Sequence, residues 1–92
     1  MPRPKIPRRL SCKPNVYYFK PRGVPLRELQ EIHLLTDELE ALKLHDLDNL
    51  DQINCAKKMN ISQPTFARIL DKAYKKIAKA IVLGRAIRIE KN

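Results

Sequence analysis

The chain has 92 residues, a formal net charge of +9 and a calculated pI near 9.9. This length allows one small domain with a limited core, so self-association is a reasonable expectation. The excess of Lys and Arg favours a polyanionic partner. The charge is uneven, because residues 1–22 carry +7, residues 23–51 carry −6 and residues 52–92 carry +8.

Several features argue against an enzyme, a metal centre or a bound cofactor. With only two glycines the chain has no Gly-rich phosphate loop, and no convincing set of nucleophile, base and orienting group can be assembled. Cys12, Cys55, His33 and His45 lack metal-ligand spacing. No signal peptide or apolar run of membrane-spanning length is present, which predicts a soluble, cytoplasmic protein.

The N-terminal segment is rich in proline and positive charge. Residues 1–25 contain six of the seven prolines, which oppose a regular helix, and their like charges repel. We therefore expect an extended basic arm, disordered without a ligand, followed by a folded domain over residues 26–92. The aromatic cluster at residues 16–19 is expected to anchor the arm to the domain. The arm is expected to contact nucleic acid through Arg3, Lys5, Arg8 and Arg9. The alternative is that this segment is only a solubilising tail.

The next segment contains one ambiguous element and one predicted helix. Residues 23–35 fit a short helix or a short strand, because their apolar residues recur at both spacings. Thr36, followed by Asp37 and Glu38, indicates an N-cap with acidic residues at the positive end of a helix dipole. A helix over residues 36–46 is expected to bury Leu39, Leu42 and Leu44.

The segment Asp51–Leu70 has the residue types that a helix-turn-helix requires. Ala56 is small where the two helices approach, and Asn60 tolerates the left-handed conformation of the turn. Ser62 is the expected N-cap of the second helix, and Pro64 lies in its first turn, where a missing N–H is harmless. Apolar contacts are expected from Met59, Ile61, Phe66, Ile69 and Leu70. An ordinary helical hairpin would explain these apolar positions but not the polar ones.

The two predicted helices cover residues 51–59 and 62–82, and the second has two chemically different faces. One follows the i, i+3, i+4, i+7 spacing of a buried face and comprises Phe66, Ile69, Leu70, Ala73, Ile77, Ala80 and Ile81. The other is basic and comprises Arg68, Lys72, Lys75, Lys76 and Lys79. Gly84 is expected to end this helix, and residues 86–90 alternate like a short strand whose partner lies near Ile32 or across a dimer interface. The predicted fold is mainly α, a three-helix DNA-binding domain.

Five stretches of the sequence together resemble a known family. The chain is similar to small predicted DNA-binding proteins of archaea and bacteria whose helix-turn-helix resembles region four of sigma factors. The resemblance implies a DNA-binding transcription regulator and departs from the usual pattern at Asn60, where Gly is common. It is carried by PRRL, YYFKPRGVPLREL, LTDELEALKLHDLDNLDQ, AKKMNISQPTFARIL and KIAKAIVLGRAIRIE.

The expected function is therefore sequence-specific binding of double-stranded DNA, with the helix from Ser62 in the major groove. Gln63 would pair with adenine, Arg68 with guanine, and Thr65 would touch a thymine methyl group or a phosphate. Further phosphate contacts are expected from Ser62, Lys57, Lys58, Lys72, Lys75 and Lys76.

Two other functions are compatible with the sequence. The chain could dock on RNA polymerase or another transcription protein through the acidic helix at residues 36–46. It could instead bind structured RNA through its basic arm and helix. A homodimer would suit a palindromic DNA site.

Overall fold

The computed structural model describes residues 16–90. They form a mainly helical domain with three helices and a small three-stranded mixed sheet. The predicted contacts of Arg3, Lys5, Arg8 and Arg9 lie outside the described residues. The elements, in chain order, are β1 (Val16–Phe19), a 3-10 turn (Leu26–Glu28), β2 (Glu31–Leu34), α1 (Thr36–Leu42), a π-helical turn (Lys43–Leu47), α2 (Gln52–Met59), α3 (Gln63–Leu83) and β3 (Ala86–Glu90).

The sheet joins both ends of the described chain. Its strand order is β1-β3-β2, with β1 antiparallel and β2 parallel to the central strand β3. All three helices lie in the connection between β2 and β3. The C-terminal strand predicted from the sequence is thus confirmed, and its partners are both within the chain. The ambiguous segment at residues 23–35 contains a 3-10 turn and then a strand, and the strand at residues 16–19 extends the folded domain into the predicted arm.

The alternation of apolar and polar side chains explains the register of β2 relative to β3. Ile32 pairs with Ile87 and Leu34 with Ile89, so apolar side chains share the inner face of the sheet. Leu34 is 3% exposed and Ile89 is 6% exposed. A slip of one residue would turn these side chains to solvent, which fixes the register.

The start of α1 differs from the sequence prediction. Thr36 is not the N-cap; it is the first residue of the helix, and its hydroxyl donates to the Glu90 carbonyl oxygen at 3.2 Å. Leu35 is the N-cap residue, and its backbone N–H donates to Oε1 of Glu38 at 2.8 Å. The Glu38 carboxylate, at the third position of the capping sequence after Leu35, therefore accepts from the N-cap backbone N–H, and no side chain makes the cap that the sequence assigned to the Thr36 hydroxyl.

The Glu38 carboxylate also accepts a hydrogen bond from α3. Nζ of Lys76 lies 2.8 Å from Oε1 of Glu38 and 2.8 Å from the His33 carbonyl oxygen. The Glu38 side chain is 3% exposed and that of Lys76 is 30% exposed, so the ion pair is largely withdrawn from water. The ion pair thus connects β2, through the Lys76 ammonium, with the start of α1 and the middle of α3.

The turn between α2 and α3 has the geometry that its sequence predicts. Asp51 caps α2 by accepting from the Asn54 backbone N–H at 2.8 Å. Asn60 ends α2 with φ 60° and ψ 44°, and Ser62 Oγ accepts from the Thr65 backbone N–H at 3.3 Å. Gly84 ends α3 with φ 66°. The predicted boundaries of both helices are confirmed to within one residue.

The core depends on small residues at the helix contacts. Ala41 and Ala56 are 0% and 3% exposed, which lets the helices approach closely around Phe66, and Ala73, which is 0% exposed, packs against Leu34 and Ile89 of the sheet. Cys55 is buried as well, in agreement with a packing role. Ile81, which the sequence assigned to the core, is 73% exposed, because Ala80 is the residue of this turn that is buried. No helix between residues 16 and 90 has the length and apolar character to cross a bilayer.

Replacing Glu38 tests the buried ion pair. Glu38→Ala should lower the free energy of unfolding by about 3 kcal/mol, because it leaves the Lys76 ammonium without its partner and an N-terminal N–H of α1 without its acceptor. Urea denaturation measures the change. The exposed residue Glu40 in the same helix provides the control, and Glu40→Ala should change the value by less than about 0.5 kcal/mol. Equal effects of the two substitutions would contradict this role of Glu38.

Replacing Asn60 tests the left-handed turn. Asn60→Ala should lower the free energy of unfolding by about 1 kcal/mol, because Ala has a Cβ and no side-chain polar group to favour this conformation. Asn60→Gly should preserve stability or raise it. Urea denaturation of both variants provides the comparison, and a loss in the Gly variant as large as that in the Ala variant would refute the explanation.

Candidate nucleic-acid interface

The first two turns of α3 present a connected set of polar side chains. Ser62, Gln63 and Arg68 are exposed and Thr65 is half-buried. The Ser62 hydroxyl donates to Thr65 Oγ1 at 2.9 Å, and Nη2 of Arg68 donates to the same oxygen at 3.2 Å. Thr65 Oγ1 thus accepts twice within the chain, and its own proton is left to donate outward. The Arg68 guanidinium has five N–H donors, so most of them are available to a ligand.

Gln63 has a second polar partner, which sequence reasoning missed. Its Nε2 donates to Oε1 of Gln52 at 2.7 Å. The two glutamines are the first residues of α3 and α2, so the hydrogen bond joins the two helix starts across the protein surface. The sequence placed Gln52 in the first turn of the helix predicted over residues 51–59, and only the placement of α2 against α3 shows this contact.

The lysines that the sequence assigned to phosphate contacts differ in their surroundings. Lys57, Lys58 and Lys72 are exposed, and the ion pairs of residues 16–90 do not include them. Lys75 lies 3.1 Å from Asp71 in an exposed pair, the kind that contributes about 0.3 to 0.5 kcal/mol and is easily exchanged. Lys76 instead points to Glu38 and is already engaged there.

These positions define a continuous basic face on α3. Its members follow the i, i+4, i+7, i+11 spacing that places residues on one side of a helix. We use the term basic face for Arg68, Lys72, Lys75 and Lys79, all of which are exposed. Lys57 and Lys58 in the last turn of α2 add two exposed positive charges near the turn.

A separate contact attaches the π-helical turn to α3. The Tyr74 hydroxyl lies 2.7 Å from Oδ2 and 2.9 Å from Oδ1 of Asp46, and 3.3 Å from Nδ1 of His45. Desolvation and the hydrogen bond to Asp46 raise the pKa of Tyr74 to about 12. Sequence reasoning did not identify this contact, because Tyr74 and Asp46 are 28 residues apart. Tyr74 lies outside the spacing of the basic face, so its role is to hold the turn against the helix.

Residues 16–90 thus belong to the class of small, mainly helical domains, with three helices, a mixed three-stranded sheet and an exposed basic face on α3. The chain belongs to the family described as "Protein of unknown function DUF134", whose model matches residues 1–92. It is 54% identical over 90 residues to a "UPF0251 protein" of Moorella thermoacetica, a match that covers 98% of this chain and 60% of the relative. The chain thus spans about 60% of the length of that relative.

Other relatives give a similar picture. A UPF0251 protein of Caldanaerobacter subterraneus is 52% identical over 90 residues, covering 98% of this chain and 76% of the relative. A UPF0251 protein of Desulforudis audaxviator is 52% identical over 90 residues, covering 98% of this chain and 59% of the relative. No solved structure matches the chain significantly.

The raised pKa of Tyr74 predicts a loss of stability at alkaline pH. The folded chain holds the phenol proton to about pH 12, whereas an unperturbed Tyr loses it near pH 10.0. This contribution to folding is therefore complete below pH 10 and is lost as the pH rises to about 12. The stability difference between the wild type and Tyr74→Phe should be constant below pH 10 and shrink above it. Urea denaturation at each pH measures this stability difference. A difference independent of pH would refute the contribution of the hydrogen bond between Tyr74 and Asp46 to folding.

Proposed function

We propose that the chain binds double-stranded DNA in a sequence-specific manner and regulates transcription, with the start of α3 in the major groove. The observation that carries the proposal is the arrangement of α2, a three-residue turn and α3, in which the first two turns of α3 carry the exposed Gln63 and Arg68 and the half-buried Thr65. Asn60 and Ser62 fix the turn by local geometry. The sequence of the turn and the caps on either side of it support a helix-turn-helix.

The exposed side chains match base edges in the major groove. The remaining N–H groups of Arg68 can donate to O6 and N7 of guanine, and the Gln63 amide can donate to N7 of adenine and accept from its N6 amino group. Thr65 has a hydroxyl proton that neither of its two hydrogen bonds as acceptor uses, and it would donate this proton to a phosphate oxygen or to a base acceptor. These short-range contacts would provide sequence preference.

The lysines around this set would hold the DNA backbone without reading sequence. Lys57 and Lys58 at the end of α2 and Lys72 on the basic face are unpaired within residues 16–90 and can approach phosphates directly. Lys75 can exchange Asp71 for a phosphate at small cost. Lys76 is omitted from this set, because releasing it would leave the Glu38 carboxylate buried without a counter-charge.

The protein-docking alternative also has structural support, since Asp37 and Glu40 on α1 are exposed and could meet a basic partner.

The two functions give different results in a selection of fragments from a random duplex library at roughly physiological salt. A recurrent sequence supports the regulator, and two half-sites about 10 base pairs apart would add a dimer. Absence of enrichment would refute sequence-specific binding by the isolated chain. Competition with RNA duplexes of equal length tests the RNA alternative.

Two substitutions separate base reading from backbone contact. Arg68→Ala should weaken binding by about 1 to 3 kcal/mol and relax the preference at one base pair, whereas Lys72→Ala should weaken all sequences alike and reduce the salt dependence by about one phosphate contact. Fluorescence anisotropy with the selected site and its single-base variants measures both effects.

The control removes a positive charge elsewhere on the surface. Arg27 has an 82% exposed side chain in the 3-10 turn, and Arg27→Ala should have little effect on the sequence preference. An unchanged base preference in Arg68→Ala would show that Arg68 does not read the sequence.

A further inference from the structure

We infer that Gln52 is a positioning residue that orients the Gln63 amide and thereby makes it select adenine over guanine. The inference rests on the proposed function and assigns a base to one side chain of that site. It starts from the hydrogen bond in which Gln63 Nε2 donates to Gln52 Oε1 at 2.7 Å.

The backbones that carry the two glutamines are both fixed by helix caps. Asp51, immediately before Gln52, accepts from the backbone N–H of Asn54 at 2.8 Å and from its Nδ2 at 3.2 Å. Ser62, immediately before Gln63, accepts from the Thr65 backbone N–H at 3.3 Å. Gln52 is half-buried whereas Gln63 is exposed, so the more restrained side chain holds the more accessible one.

The hydrogen bond restricts what the Gln63 amide can offer a base. A side-chain amide has two N–H donors and one carbonyl acceptor. With one N–H directed to Gln52, the outward edge consists of one donor and one acceptor. Adenine presents a complementary acceptor and donor at N7 and N6 in the major groove, whereas guanine presents two acceptors at N7 and O6. The bound amide therefore complements adenine and places its carbonyl oxygen against O6 of guanine.

Gln52 also opposes the rotation that would remove this selectivity. The terminal amide torsion of a free glutamine is broad and nearly two-fold, so the group can turn over at small cost. Turning over the Gln63 amide alone would bring its carbonyl oxygen against Oε1 of Gln52 and lose the hydrogen bond between them, so the Gln63 amide can turn over only together with the half-buried Gln52 amide. The partner thus opposes independent rotation of the Gln63 amide before any DNA is bound, which also lowers the entropy cost of binding.

The test compares Gln52→Met with Gln52→Glu on the selected DNA site. Methionine keeps the length of the side chain and cannot accept the hydrogen bond, so the preference for adenine over guanine at one base pair should fall by roughly tenfold. A glutamate carboxylate accepts the same N–H, so Gln52→Glu should keep that preference, with weaker binding to all sequences because of its negative charge. Gln63→Ala identifies the base pair concerned, because it should abolish the preference there.

The measurement is the binding constant for the four possible base pairs at that position, with thermal unfolding to confirm that each variant is folded. A Gln52→Met variant that weakens all four sites equally would overturn the positioning role and leave DNA binding intact. A wild type without any recurrent site would overturn the proposed function and this inference with it.

A measurement without DNA tests the hydrogen bond itself. The Gln63 side-chain amide proton that donates to Gln52 should resonate further downfield in the wild type and in Gln52→Glu than in Gln52→Met, because a hydrogen bond deshields the donated proton. Equal spectra for all three proteins would overturn the inference whatever the DNA selection shows.

Discussion

The ion pair between Glu38 and Lys76 is the constraint on which the arrangement of the domain depends. Oε1 of Glu38 accepts from the N-terminus of α1 and from Lys76 of α3. The Lys76 ammonium also donates to the His33 carbonyl oxygen in β2. A carboxylate in this position is expensive to bury unless each of these donors is present. The pair therefore fixes α3 relative to both the sheet and α1.

This anchoring divides the long helix α3 into parts with different tasks. Phe66 and Leu70 near its start belong to the core formed with α1, the π-helical turn and α2, whereas Ala73 packs with Leu34 and Ile89 of the sheet. The polar set beginning at Gln63 thus lies on a helix that two separate apolar clusters hold. A site on such an element is placed more accurately than one on a loop, which favours recognition by short-range hydrogen bonds.

The sequence was most informative where the structural requirement is local. The left-handed turn at Asn60 and the cap at Ser62 each follow from one residue and its neighbours, and both were predicted. Predictions failed where a distant element decides the outcome. Leu35 rather than Thr36 is the N-cap of α1, with its backbone N–H bound by the Glu38 carboxylate that α3 also binds, and Ile81 is exposed because no described element covers its side of α3. The Gln52 contact could not be predicted, since it requires the packing of α2 against α3.

Under the proposed function, attraction to the DNA backbone and choice of a DNA sequence are carried out by different side chains. The same anchoring that turns Lys76 inward leaves Lys57, Lys58 and Lys72 facing water, where their long-range attraction would accelerate encounter with DNA and weaken as salt increases. Such attraction acts on every phosphate backbone alike, so it cannot choose a sequence. Choice must come from groups with fixed hydrogen-bond geometry. In the proposed interface these are Arg68, hydrogen-bonded to Thr65, and Gln63, hydrogen-bonded to Gln52, so selectivity depends on hydrogen bonds within the protein that hold the reading side chains in place.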